Sequence, residues 1–252
     1  PHGPIINGIL DDKTISDSIS CFWTFREFPL KVIQVAHGFQ AAKSMSEFKS
    51  MLPDLAAPGL NVMYGDADGN YAWWGTAKIL KRPEHVNPKT ILNGSTGEDD
   101  AIGYSDFDEN PRSVNDDRGF VHSANNAPED VNERYVFGYY YAGQRSEQIM
   151  KKIAAEPIWD MEMIKTLALD DESPWYPTNA KIMLENVKTN SDFEAQMFKS
   201  LNNWDGKHSL DQHASIIYYQ MLYQTLKLAL HDDLGKTDFD SMIHTLFYLR
   251  SV

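Results

Sequence analysis

The sequence has a single cysteine, Cys21, among 252 residues. One thiol cannot close an internal disulfide, so no cystine framework holds this chain together. Both an oxidising and a reducing compartment tolerate such thrift with cysteine. The sequence also lacks any run of about 18 apolar residues, which excludes a membrane-spanning helix. Basic residues are scarce: 23 Lys and Arg stand against 36 Asp and Glu, a formal charge of -13. A uniformly acidic surface repels phosphate backbones and anionic lipid, so neither nucleic acid nor membrane is an expected partner. The opening residues do not read as a signal peptide, and no internal repeat or low-complexity tract is found in the sequence. The opening Pro1-His2-Gly3-Pro4 lacks an initiator Met, which reads as a processed or excised chain.

What is present is ordinary globular composition, 42% hydrophobic and 23% charged, with six Trp favouring well-packed layers. The first half reads as β-rich with interruptions. Ile5-Ile6 and the run from Ile15 to Phe25 have strand character. Met45, Phe48, Met51 and Leu52 recur at spacings of three and four, predicting a helix over 40–52 that Pro53 and Pro58-Gly59 end. Residues 60–75 predict a β-hairpin, since Asp66-Ala67-Asp68-Gly69-Asn70 is rich in residues that tolerate left-handed turns. A long irregular excursion follows over 78–118, and Gly119–Ser123 resumes a strand.

The second half reads as helical. Helices are expected at 146–153, after Pro157-Ile158-Trp159-Asp160, at 178–188, at 191–201, at 210–230 and at 238–249. The helix at 210–230 is apolar on most faces and is expected to be central. Domain boundaries fall at a β-rich portion, 1–129, and a helical lobe, 130–252.

Several constellations could carry chemistry. Asn125-Asn126-Ala127-Pro128 closes a strand with a Pro-fixed turn, which can hold a carboxamide N–H where an oxyanion develops. An Asx-turn that only satisfies the backbone would use the same residues. Arg145 can orient an Asn carbonyl or bind a carboxylate, or it can sit in a surface ion pair. His2 beside Gly3-Pro4 reads as structural, and Pro1 has a secondary amine that a few enzymes use as a base. Cys21 sits in an apolar run and reads as a buried, inert thiol. Asp99-Asp100 and Asp106-Asp108-Glu109 could bind a hard cation, but their spacing fits no EF-hand, so a solvated acidic loop is the better reading. Asp66, Asp68 and Asn70 resemble half a calcium loop that a β-turn explains more simply. Trp204-Asp205-Gly206 reads as packing and turn chemistry.

In order along the chain, six segments resemble the penicillin acylase family of N-terminal nucleophile hydrolases. They are His2-Gly3-Pro4-Ile5-Ile6, Phe22-Trp23-Thr24, the 58–70 hairpin, Ser123-Ala124-Asn125-Asn126-Ala127-Pro128, Arg145 and Leu201-Asn202-Asn203-Trp204-Asp205-Gly206. The resemblance implies an α+β fold, part of an αββα four-layer arrangement with a mostly helical C-terminal lobe. It implies hydrolysis of a linear acyl amide, in a precursor (zymogen) that cuts itself into α and β chains. A β-chain N-terminal Ser attacks the amide carbonyl with its own α-amino group as base. Asn125 would be an oxyanion donor and Arg145 an orienting residue. The Ser, the second oxyanion donor and the α chain would lie upstream of Pro1, which has neither hydroxyl nor primary amine. The partners implied are therefore the α chain, the N-terminal part of the β chain and a small acyl-amide substrate.

No cofactor is required for that chemistry. The resemblance allows a structural calcium near the chain interface, with Pro88 at a ligand-carbonyl position, Glu133 a looser match and the key carboxylates upstream. The substrate could be a penicillin side-chain amide (antibiotic resistance) or an N-acyl homoserine lactone (quorum quenching), and an inert structural fragment is the remaining alternative. A periplasmic or secreted location follows from the resemblance alone. The reading requires the Asn125 carboxamide N–H to face a cavity able to hold a tetrahedral adduct.

Overall fold

In the computed structural model, residues 2–9, 16–128, 140 and 143–248 are described, with side chains to residue 244. The chain divides into two compact units, Pro1–Ser146 and Glu147–Val252.

The first unit is built around a hairpin. Strands β1 (Leu60–Gly65) and β2 (Tyr71–Thr76) pair antiparallel, with Val62 opposite Trp74 and Tyr64 opposite Ala72. The Asp66 carboxylate makes the turn. It accepts from the backbone N–H of Asp68 at 3.0 Å and of Asn70 at 2.9 Å, and from the Tyr64 hydroxyl and the Asn70 amide at 3.0 Å each. Gly69, at φ +86°, supplies the left-handed residue the loop needs.

Side chains alternate along a strand. Ala72 and Trp74 are therefore buried on one face, and that face is covered by two helices, α1 (Val32–Ala41) and α2 (Met45–Met51). Ser44 caps α2 by accepting from the Glu47 N–H at 3.2 Å, and Phe48 stacks on Phe39 at 3.9 Å. Leu52, fully buried, closes this core with Val35 and Leu55.

The helix expected over 40–52 is thus shorter than its apolar pattern suggests, and α1 precedes it. The stretch 78–118 holds three short strands: β3 (Leu80–Lys81), β4 (Gly103–Tyr104) and β5 (Arg112–Val114). β3 pairs with β4, and β5 adds to β2 as the third strand of the main sheet. Asn110 ties this stretch back, donating to the carbonyls of Gly75 and Ala77 at 3.1 and 3.0 Å. The strand expected at Gly119–Ser123 does not form: among the described residues no ladder partner lies beside it, so its apolar content alone does not make a strand. Near the start of the chain, an isolated bridge joins Ile5 to Ser20.

The second unit is helical. Helix α3 (Gln144–Ala154) spans the boundary, and α4 (Met161–Ala168), α5 (Trp175–Leu184), α6 (Asp192–Asn202) and α7 (Ala214–Tyr248) follow. Asp160 and Ser191 cap α4 and α6 by accepting from the third N–H of each helix. The core joins Ala180, Leu184, Leu201, Trp204, Ala214 and Tyr218. The Trp204-Asp205-Gly206 turn fixes this core. The Trp204 indole donates to the Lys207 carbonyl at 2.7 Å, and the Gly206 carbonyl accepts from the Ser173 N–H at 3.2 Å.

Two expectations are corrected here. The helix expected at 178–188 is α5, which starts earlier and ends at Leu184, so Val187 lies beyond it and is exposed. Helix α7 is not central over its length. Ala214 and Tyr218 are buried, but Ile216 is 63% and Leu228 85% exposed. An apolar composition on every face does not by itself find partners. The helix also breaks at Gly235, whose φ of 72° and ψ of 169° are not helical. No described helix is long and apolar enough to cross a membrane.

Candidate functional site

The segment after β5 carries the Asn-Asn-Ala-Pro turn, and the two Asn side chains do different things. Asn126 braces the backbone at both ends: its Oδ1 accepts from the Ala124 N–H at 3.1 Å and its Nδ2 donates to the Ala127 carbonyl at 3.0 Å. Ala124 is buried beneath the turn. Asn125 takes a left-handed backbone, φ +62°, a region that Asn tolerates better than any other residue with a bulky side chain. Its carboxamide is left to point away from the turn.

Arg145 meets that carboxamide. It stands in the first turn of α3, and its guanidinium donates to Asn125 Oδ1. A guanidinium can only donate, so the amide atom facing it must be the oxygen. Nδ2 is therefore the free end, and among the described residues no acceptor takes it. A carboxamide held this way presents an N–H polarised by a neighbouring cation, the type of donor that stabilises a developing oxyanion.

One residue further along α3, Ser146 is buried, and its hydroxyl lies 2.7 Å from Nε2 of His122. Neither residue stood out in the sequence. They lie 24 positions apart, a separation no local spacing rule connects. The only available signal was their adjacency to Asn125 and Arg145.

Beside the turn lies a narrow cleft of about 50 Å³, lined by Trp73, Arg112, Arg118, His122, Ser123 and Asn126 among others. Arg118 is paired with Asp116, whose carboxyl is held below its usual range first by the Arg118 backbone N–H and then by the guanidinium. Asn125 itself is exposed, so the described residues do not by themselves enclose its carboxamide. A larger cavity of about 570 Å³ in the same unit has its own lining, which includes His2, Cys21, Arg82 and Asp100, and shares no residue with the cleft.

The other candidates resolve as structure. His2 Nε2 lies 2.7 Å from Asp100 and ties the first residues to the 90–101 loop, while Pro1 lies outside the described residues. Cys21 is half-buried, not fully buried as its apolar run suggested. Asp99 accepts from the Asn93 N–H at 2.8 Å and faces His85 at 3.0 Å, and these bonds, in that order, hold its carboxyl low. Asp106 and Glu109 form a capping box on a short 3-10 turn, and Glu109 also meets Lys81. No group of three or more His, Cys, Asp or Glu able to hold a metal occurs among the described residues. Pro88 sits half-buried in a turn, and Glu133 lies outside the described residues. The described donors do not fit a calcium site by themselves.

With this geometry in view, comparison with known proteins is specific. Residues 1–250 match the penicillin amidase family, and the chain belongs to it. Penicillin G acylase of Escherichia coli is 25% identical over 166 residues, 60% of this chain and 19% of that protein. The solved thermostable penicillin G acylase of Alcaligenes faecalis shares the fold, with a TM-score of 0.72 at 18% identity, over 95% of this chain and 44% of that one. The chain spans about a fifth of the length of the curated relative it matches. The α+β fold is therefore that of penicillin acylases, a family of hydrolases acting on amide bonds.

Proposed function

We propose that this chain is a segment of a hydrolase that cleaves linear acyl amides, and that Asn125 supplies one donor of its oxyanion hole. The observation that carries the reading is the guanidinium of Arg145 on Asn125 Oδ1, which leaves Nδ2 free and polarised. Family membership supports the amide bond as the target.

The nucleophile would be an N-terminal Ser outside this chain, with its own α-amino group as base. As the hydroxyl attacks, the carbonyl oxygen gains charge, and Asn125 Nδ2 donates to it together with a backbone N–H from elsewhere. Arg145 keeps the carboxamide from turning. Polypeptide outside this chain, the α chain and the β-chain start, would supply the wall that encloses Asn125 and bury the four-layer interior. A calcium ion held partly through Pro88 would need carboxylates from that same polypeptide. A periplasmic or secreted location fits the family.

The test is Asn125→Ala in the full protein carrying this chain. Turnover of an acyl amide is expected to fall by about 10²–10³ with the thermal midpoint unchanged. Wild-type turnover by the variant would remove Asn125 from the chemistry. A panel of phenylacetyl amides and N-acyl homoserine lactones then sorts the substrate class.

A further inference from the structure

We infer that His122 and Ser146 are positioning residues for Asn125, and this inference rests on the role proposed for Asn125 above. Two hydrogen bonds run side by side between the same two segments. One joins Asn125 to Arg145, the other joins His122 to Ser146 at 2.7 Å. The donors and acceptors are adjacent on α3 and three residues apart on the turn segment. A single bond would let the turn pivot about it. A pair sets both its distance and its orientation.

The two bonds are not equal. Asn125 and Arg145 are both exposed, and exposed contacts between long polar side chains hold geometry poorly against solvent and salt. Ser146 is 4% exposed, and among the described residues His122 is the side-chain partner of its hydroxyl. A buried hydroxyl must keep a partner, so this bond is the one the fold protects. His122 also lines the cleft beside Asn126, the residue next to Asn125. The pair acts through Asn125: it touches no reacting atom, and it decides where the carboxamide stands. Misplacement of a catalytic group by about an ångström can cost on the order of a hundredfold.

The experiment uses the full active protein and an acyl-amide substrate, with kcat and KM read separately. Ser146→Ala is expected to lower kcat by about 10- to 100-fold with KM within about twofold. Ser146→Thr keeps the hydroxyl and is expected to restore most of the rate. In an Asn125→Ala background, Ser146→Ala should cost less than about a further twofold, because the group it positions is gone. Losses that multiply in the double variant, a wild-type kcat for Ser146→Ala, or a loss confined to KM would each overturn the assignment. Should Ser146→Ala fail to fold, His122→Ala breaks the same bond from its half-buried side and is read in the same way. The parent reading fails separately: Asn125→Ala at wild-type rate removes the site itself, whereas a defective Asn125→Ala with an undisturbed Ser146→Ala removes only the positioning pair.

Discussion

Replacing Arg145 separates the two things its guanidinium does for Asn125. The first is orientation. A carboxamide turns about its last torsion between two nearly equivalent positions, so without a pure donor beside it about half of the molecules present oxygen where the oxyanion needs N–H. The second is polarisation and restraint. A hydrogen bond to a charged group is worth about 1.5–3 kcal/mol when shielded from water. Both side chains here are exposed, so the bond is worth nearer ~1 kcal/mol, a factor of about five. Together these give about a tenfold loss in kcat for Arg145→Ala, well short of the effect expected for Asn125→Ala. Arg145→Lys keeps a cation and a donor but loses the rigid planar fork, so its loss should be about two- to threefold. Steady-state kinetics at saturating amide, with circular dichroism to show that both variants fold, measures this. The reasoning fails if Arg145→Ala turns over like the wild type, or if its whole defect is in KM.

Two further outcomes follow from backbone and titration. Gly206 has φ +89°, and a Cβ there would sit 2.2 Å from the Ser173 carbonyl oxygen; Gly69 has φ +86° with open space around it. Gly206→Ala should therefore destabilise by at least about 2 kcal/mol and Gly69→Ala by only about 1, compared through urea midpoints; equal losses would refute the close approach. Asp66 is held below the usual carboxyl range, first by the Asn70 side chain and backbone, then by the Tyr64 hydroxyl and the Asp68 N–H. A lowered folded pKa means that the stabilisation is present above the ordinary value near ~3.9 and is lost as pH falls through the folded one. Asp66→Asn should flatten the acid limb of the melting temperature below about pH 4, and an unchanged limb would show that this turn does not contribute to it.

The hairpin was legible because its turn chemistry is local: Asp66, Gly69 and Asn70 need nothing distant to act. Helix α1 was not, because its first turn holds β-branched Val32, Ile33 and Val35, which favour strands, and its N-cap, Lys31, makes no side-chain cap. Strand β5 is three residues inside a stretch rich in Gly and Pro, and only pairing with β2 makes it one. The reverse error at Gly119–Ser123 has the same cause, since a strand is defined by its neighbour. Asn125 and Arg145 were named from motif order and not from spacing, and the structure brings them into contact. The buried bond that accompanies them depends on a contact across 24 residues that no sequence pattern announces.

Gly235 has a consequence for the far end of the molecule. Its backbone lies in a region of torsion space that essentially only glycine visits, yet no atom crowds the place a side chain would occupy. The bend is therefore set by torsional preference at Gly235 itself, and it brings Phe239, buried at 1% exposure, against Tyr223 and His231. Any other residue there would favour an unbroken rod, and in a straight helix the Phe239 ring would be carried away from Tyr223, 16 positions earlier.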